Sequence, residues 1–266
     1  VVILAILIYQ EVHMKRTLLS WVFASLCASM GVVATSHATM KSSEPKPKIA
    51  TPKIGQYLTE RGWGVLDVLQ GKEGKRIFRL NSLGTNGHSC TLEGVIENGI
   101  AILNDDPATV CKVSFAPTPF GVAVADATNG MCRSYCGARA GFEGSYSVPA
   151  LGCSTQAVRA SREKFKQAYD KKQYAEAELY LSPILSRCAI TLDQWADSDI
   201  RNDLGITYFH LKNKSACLST LAPLAKLAGD DDATIKDEYS YAPSDAEGMV
   251  NMAKAARVNL KKCNSL

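Results

Sequence analysis

Beyond its first forty residues the chain has no uninterrupted apolar stretch of about 18 residues, so its body cannot cross a membrane as a helix. It has little excess charge: 30 Lys and Arg stand against 26 Asp and Glu, a formal +4, with no basic cluster along the sequence. So weak a balance argues against nucleic acid as a partner. Histidine is scarce, at four residues, and Cys-x-x-Cys does not occur. The ligand spacing of a tetrahedral zinc site is therefore missing, and no metal or cofactor is expected. No Gly-x-Ser-x-Gly elbow and no nucleophile–base set emerges either, which makes an enzyme the least supported class. What is present is 46% apolar and 21% charged over 266 residues. That excludes a disordered chain, collagen or a coiled-coil rod as the main architecture.

Met14-Lys15-Arg16, the apolar run Leu18 to Val33 and the small-residue site Ser36-His37-Ala38 have the layout of a secretory signal peptide. Translation is expected to start at Met14, with residues 1–13 upstream of it. Leu26 before Cys27 argues against lipid attachment, which needs a small residue there. Removing residues 1–38 takes away Glu11, Lys15, Arg16 and Cys27, which leaves 28 basic and 25 acidic residues. Eight cysteines remain: Cys90, Cys111, Cys132, Cys136, Cys153, Cys188, Cys217 and Cys263. An even count in an exported chain reads as disulfides, and a periplasmic location follows. Five lie before residue 154 and three after, so full pairing needs at least one bridge between the halves. Cys153, at the junction, is the expected member of it.

Residues 39–54 are rich in Lys, Pro and Ser and predict a solvated tether. From 55 to 152 the texture is that of strands. Expected runs are Trp63 to Leu69, Ile77 to Leu80, Leu92 to Ile96, Ile100 to Leu103, Val110 to Phe115, Gly121 to Ala125 and Phe142 to Val148. Asn98-Gly99 between two of them predicts a tight hairpin, because both turn residues take positive φ. About seven short antiparallel strands imply a small disulfide-tied barrel or sandwich. From 153 to 266 the spacing turns helical. Helices are expected over Ala157 to Tyr169, Tyr174 to Leu185, Ile200 to Leu211, Ser215 to Leu227 and Ser244 to Lys261. The fold class is thus α+β, with a β domain (55–152) before a helical repeat domain (153–266).

Leu204-Gly205, Tyr208, Leu211, Leu221 and Leu224 follow the spacing of a tetratricopeptide repeat, with Cys217 where that repeat usually has Ala. The helical half resembles that family. Ala168-Tyr169, Tyr174, Ala177, Leu181 and Ile184 fit a first repeat that lacks the Leu-Gly pair. Ala177 and Cys217 lie 40 residues apart, so an insertion is expected around Leu192 to Asp199. The resemblance implies a helical array whose concave face holds a peptide or another protein, that is, a scaffold or adaptor in envelope assembly or secretion.

The β half has a signature of its own. It comprises Asn86-Gly87-His88-Ser89-Cys90, Cys111 on a strand, and Cys132-Arg133-Ser134-Tyr135-Cys136-Gly137-Ala138-Arg139-Ala140 followed by Phe142 and Gly144. In size, export and cysteine-tied strands this resembles the small β-barrel lysozyme inhibitors of bacterial envelopes. The Gly137-Ala138-Arg139 segment is similar to the stretch with which the C-type inhibitors enter the enzyme's cleft. The resemblance implies a protein partner, a peptidoglycan hydrolase, and a role as inhibitor of, or immunity protein against, such an enzyme. Arg133, Tyr135, Arg139 and Phe142 are the candidate partner-binding residues, since Tyr and Arg on a stiffened loop suit recognition of a carboxylate-lined cleft. The alternative is that Arg139 pairs with a local acid such as Glu143 while Tyr135 covers the barrel end.

Four other features read as structural. His88 is expected in the turn after Asn86-Gly87, and His210 on a helix face. Asp230-Asp231-Asp232 lacks the pattern of a calcium loop and is expected to precede a helix start. Trp195 is expected to pack between the repeats.

Overall fold

A computed structural model describes residues 51–104 and 110–266; the expected signal peptide, and the tether up to residue 50, lie outside them. Eight strands form one antiparallel sheet: β1 Gly55–Thr59, β2 Gly64–Gln70, β3 Arg76–Leu83, β4 Ser89–Ile96, β5 Ile100–Leu103, β6 Cys111–Thr118, β7 Gly121–Asp126 and β8 Gly144–Ser147. Their order is β4-β3-β2-β1-β8-β7-β6-β5. Alternation sets the faces: Phe78, Leu80 and Ser82 of β3 point inward while Arg79 and Asn81 point out. β1 escapes that pattern because Tyr57, Leu58 and Thr59 are all buried. Tyr57 enters the barrel core, whereas Leu58 lies against the helical half.

The sheet is nearly closed. Its end strands β4 and β5 are joined by the Asn98-Gly99 turn, in which Glu97 and Ile100 exchange N–H···O bonds of 2.8 and 3.1 Å. Asn98 and Gly99 take φ of 51° and 76°. β5 then leaves β4 to pair with β6, beginning with the Phe115 N–H donating to the Gly99 carbonyl at 2.8 Å. The interior is filled by side chains from strands that are not neighbours: the Phe78 and Phe115 rings lie 4.8 Å apart between β3 and β6.

Four disulfides hold the molecule: Cys90–Cys136, Cys111–Cys132, Cys153–Cys188 and Cys217–Cys263. The first two tie the 3-10 turn Met131–Tyr135 to both β4 and β6, so this segment covers one end of the barrel. Cys153 pairs with Cys188 beyond residue 154, as expected. Both of its sulfurs, however, lie in the core of the helices.

Seven α-helices follow among the described residues: α1 Thr155–Asp170, α2 Tyr174–Arg187, α3 Gln194–His210, α4 Lys214–Leu221, α5 Ala225–Gly229, α6 Asp232–Glu238 and α7 Pro243–Asn264. α3 starts earlier than expected because the Asp193 carboxylate caps it, accepting from the Ala196 N–H at 2.7 Å. The expected insertion is therefore a short link followed by the first turn of α3. Pro223 ends α4 through a single 3-10 turn, so the helix expected over Ser215 to Leu227 is two helices. α6 is not among the expected helices, although the acids at 230–232 do precede a helix start as expected; Asp231 caps it at the Thr234 N–H, 2.7 Å away. No helix among the described residues is long and apolar enough to cross a membrane.

The hairpins α1–α2 and α3–α4 repeat each other at an offset of 40 residues. Lys172 and Lys212 both sit at φ 59° in the connecting turns. The bonds Gln173 N–H to Ala168 and Asn213 N–H to Tyr208 are the same bond, each 2.9 Å long. In the second pair a Cβ on Gly205 would stand 2.8 Å from Leu221 Cγ, so the helices touch where side chains would hold them apart. α7 closes the array with a stripe that includes Ala246, Met249, Val250, Ala253 and Ala256, and Cys263 bridges it to α4.

Barrel and helices are joined by backbone and side-chain hydrogen bonds at several points. Arg61 N–H donates to the Ile190 carbonyl at 2.6 Å. Gln56 both accepts from the Thr155 N–H (2.7 Å) and donates to its hydroxyl (3.0 Å). Asn86 accepts from the Ser244 N–H (3.0 Å) with its side chain, while its own N–H donates to Asp245 (2.8 Å). Asn86 thus caps α7 from across the molecule.

Candidate functional site

A groove of about 810 Å³ runs between α1 and α3. It lies along the first helices of the two hairpins and is closed at one end by Leu58 and Gly62 of the barrel. Its apolar lining is Val158, Phe165, Tyr169, Leu192, Ala196 and Ile206. Helical spacing puts Arg159, Arg162 and Lys166 of α1 along one wall, with Glu163 and Asp170 beside them. The charged residues that line the facing wall are both acids, Asp193 and Asp203, with Asp199 meeting Arg162 across the gap at 3.0 Å. Lys166 is held by Asp170 at 2.6 Å.

Asp203 is a perturbed acid in this groove. Burial lifts its carboxyl to about 6; the Arg162 charge pulls it down and the Asp199 charge pushes it up. It is a carboxylate with too little compensation, and a cation brought into the groove would supply it. A second hollow on the other side of α3, about 510 Å³, differs in this respect. There Arg201 already grips Asp197 through two bonds of 2.6 and 3.0 Å.

The barrel-end loop is tied down from within. Asp126 organises its base by accepting from the Thr128 N–H and hydroxyl (both 2.6 Å), the Gly130 N–H (3.0 Å) and the Cys132 N–H (3.1 Å). Burial raises its pKa, but these four bonds outweigh that and leave it lowered. Arg133 donates to the carbonyls of Ala138 and Ala140. Tyr135 packs partly buried against the barrel core, and Phe142 is 4% exposed inside it. Arg139 donates to the carbonyl of Tyr241, between α6 and α7. Glu143, the local acid considered for Arg139, instead accepts from the Asp126 N–H at 3.2 Å. Around Arg133 there is a hollow of only about 170 Å³.

His88 sits in its expected turn, with its N–H pointing to the Thr85 carbonyl. His210 ends α3 and stacks on Tyr174 at 4.2 Å. Trp195 packs on α7, where a Cβ on Gly248 would come within 2.6 Å of its ring. Asp230 and Asp232 pair with Lys226 (3.0 Å) and Arg257 (2.7 Å). Among the described residues no three His, Cys, Asp or Glu side chains are placed to share a metal ion.

Comparison of the chain with family models, curated proteins and solved structures finds no match.

Proposed function

We propose that the protein is an exported, non-catalytic binding module. Its two hairpins act as tetratricopeptide-like repeats and hold a segment of a partner protein in the groove between α1 and α3. The carrying observation is the pairing of an apolar lining with opposed charged walls, one of which presents the undercompensated Asp203. Such a groove suits a segment that offers an apolar side chain to Phe165 and Ile206 and a Lys or Arg to Asp203. Four disulfides accord with an exported chain. Scaffolding in envelope assembly or secretion is the role this reading favours over inhibition of a cell-wall hydrolase. The reason is that Arg133 and Arg139 of the barrel-end loop already have partners within the chain.

The test compares two variants in capture of binding proteins from an envelope extract. Ala196→Trp fills the groove, while Arg139→Ala removes the loop's guanidinium and its bond to the Tyr241 carbonyl and leaves the groove lining unchanged. Loss of the captured protein with Ala196→Trp and its retention with Arg139→Ala is the expected outcome. The reverse pattern overturns this reading and places the surface on the loop, as a hydrolase inhibitor would require.

A further inference from the structure

Lys171, Lys172, Lys212, Lys214, Lys261 and Lys262 belong to three separate stretches of the sequence, and the fold brings them to one pole. The 40-residue repeat is the cause: Lys172 and Lys212 occupy the same left-handed position of equivalent turns. Ring contacts bring those turns together, since His210 stacks on Tyr174 at 4.2 Å and meets Tyr169 at 5.9 Å. The end of α7 joins them there. Lys214 Nζ donates to the Asn264 carbonyl at 3.1 Å, and Lys262 Nζ and Lys212 Nζ lie 5.8 and 5.0 Å from the Phe209 ring. All six lysines are exposed, and none is in an ion pair among the described residues. Asp170, at the same pole, is held by Lys166. The field is felt locally: burial lowers the pKa of His210, and the charges of Lys262 and Lys212 lower it further.

We propose that this pole docks on an anionic phospholipid bilayer, with the ammonium groups against the headgroup phosphates. Lysine without arginine favours this occupant over a folded anionic protein. Compact charges on flexible stems attract a field of phosphates without demanding a fixed fork of acceptors. Phe209 and Tyr174, half-buried among the lysines, are rings of the kind that settle at headgroup level. The pole also lies away from the barrel. α1 meets the barrel at Thr155 and reaches the pole 16 residues later, about 24 Å along its axis.

Sedimentation of the mature chain with vesicles tests it, using phosphatidylcholine alone and phosphatidylcholine mixed with phosphatidylglycerol. Binding is expected only to the mixed vesicles, and is expected to vanish at about 1 M salt, where screening acts within about 3 Å. Lys172→Asn, Lys212→Asn and Lys262→Gln together should weaken it at least about tenfold. Asn is at home in the left-handed turns, so this variant should melt no lower than the wild type. The matched set Lys72→Asn, Lys112→Asn and Lys236→Gln removes the same charge elsewhere and should bind normally. Failure of the wild type to bind mixed vesicles overturns the proposal. So does an equal loss in both variants, or a fall in melting temperature of the pole variant with binding unchanged, which would make the lysines helix-end stabilisers only.

Discussion

Asp203 makes the groove testable through pH. Its folded pKa of about 6 lies above the usual carboxylate value, so the neutral acid is the form that the fold favours. The stability it allows is therefore complete below about pH 4 and is lost as pH rises through about 6. Asp203→Asn should raise stability by about 1–3 kcal/mol at pH 7.5 and leave it unchanged at pH 3.5, as read from urea midpoints. An equal effect at both pH values would mean that folding leaves the Asp203 pKa unshifted. Binding has the opposite sign, because a ligand cation favours the carboxylate: a basic segment in the groove should bind more tightly at pH 7.5 than at pH 5. Gly62 is a second decisive residue. At φ 60°, with its missing Cβ facing the Thr191 carbonyl at 2.5 Å and the Asp193 N–H at 2.8 Å, it lets the barrel's turn reach the α2–α3 link. Gly62→Ala should cost about 2–4 kcal/mol in thermal or urea unfolding. A cost under about 0.5 kcal/mol would show that the two segments part easily.

At the scale of elements, each disulfide closes a loop of 21 to 46 residues, and chain entropy assigns such loops about 3–4 kcal/mol apiece. Thiol titration of the denatured, unreduced chain from residue 39 onward should find none of its eight cysteines free, and reduction should lower the melting temperature sharply. Two or more free thiols per chain would refute this pairing. The elements with the strongest local rule were legible in advance. Asn98-Gly99 has one comfortable conformation between β runs, and Gly205 allows an approach that its Leu-Gly spacing suggests. β1 was not legible, because alternation fails where one side chain faces the barrel and the next faces the helices. Nor was the groove. Arg159, Arg162 and Lys166 become one wall of a site only because α3 places Asp199 and Asp203 opposite them, and no local pattern encodes that juxtaposition. Arg133 and Arg139 had the right chemistry for an interface, but their acceptors at Ala138, Ala140 and Tyr241 are backbone carbonyls, which leave no mark in the sequence.

At the scale of the molecule, no disulfide among the described residues joins barrel to helices, because Cys153 and Cys188 both belong to the helical core and each of the other three bridges stays within one half. The relation of barrel to helices depends instead on the Gln56, Arg61, Asn86 and Arg139 contacts. Two of these, from Asn86 and Arg139, converge on the α6–α7 junction at Tyr241, Ser244 and Asp245. Asn86 combines two roles there, since it sits at φ 60°, where asparagine is tolerated, and its amide oxygen caps α7. Asn86→Gly keeps the turn and removes the cap, so it should cost about 1 kcal/mol; Asn86→Ala loses both and should cost about 2 kcal/mol. The coupling can be read by calorimetry. The wild-type chain should unfold in one transition whose calorimetric and van't Hoff enthalpies agree. Asn86→Ala combined with Arg139→Ala should split it in two, with α7 amides exchanging earlier than those of β3 and β4. Two transitions in the wild type would instead mean that barrel and helices are independent, with these contacts too weak to couple them.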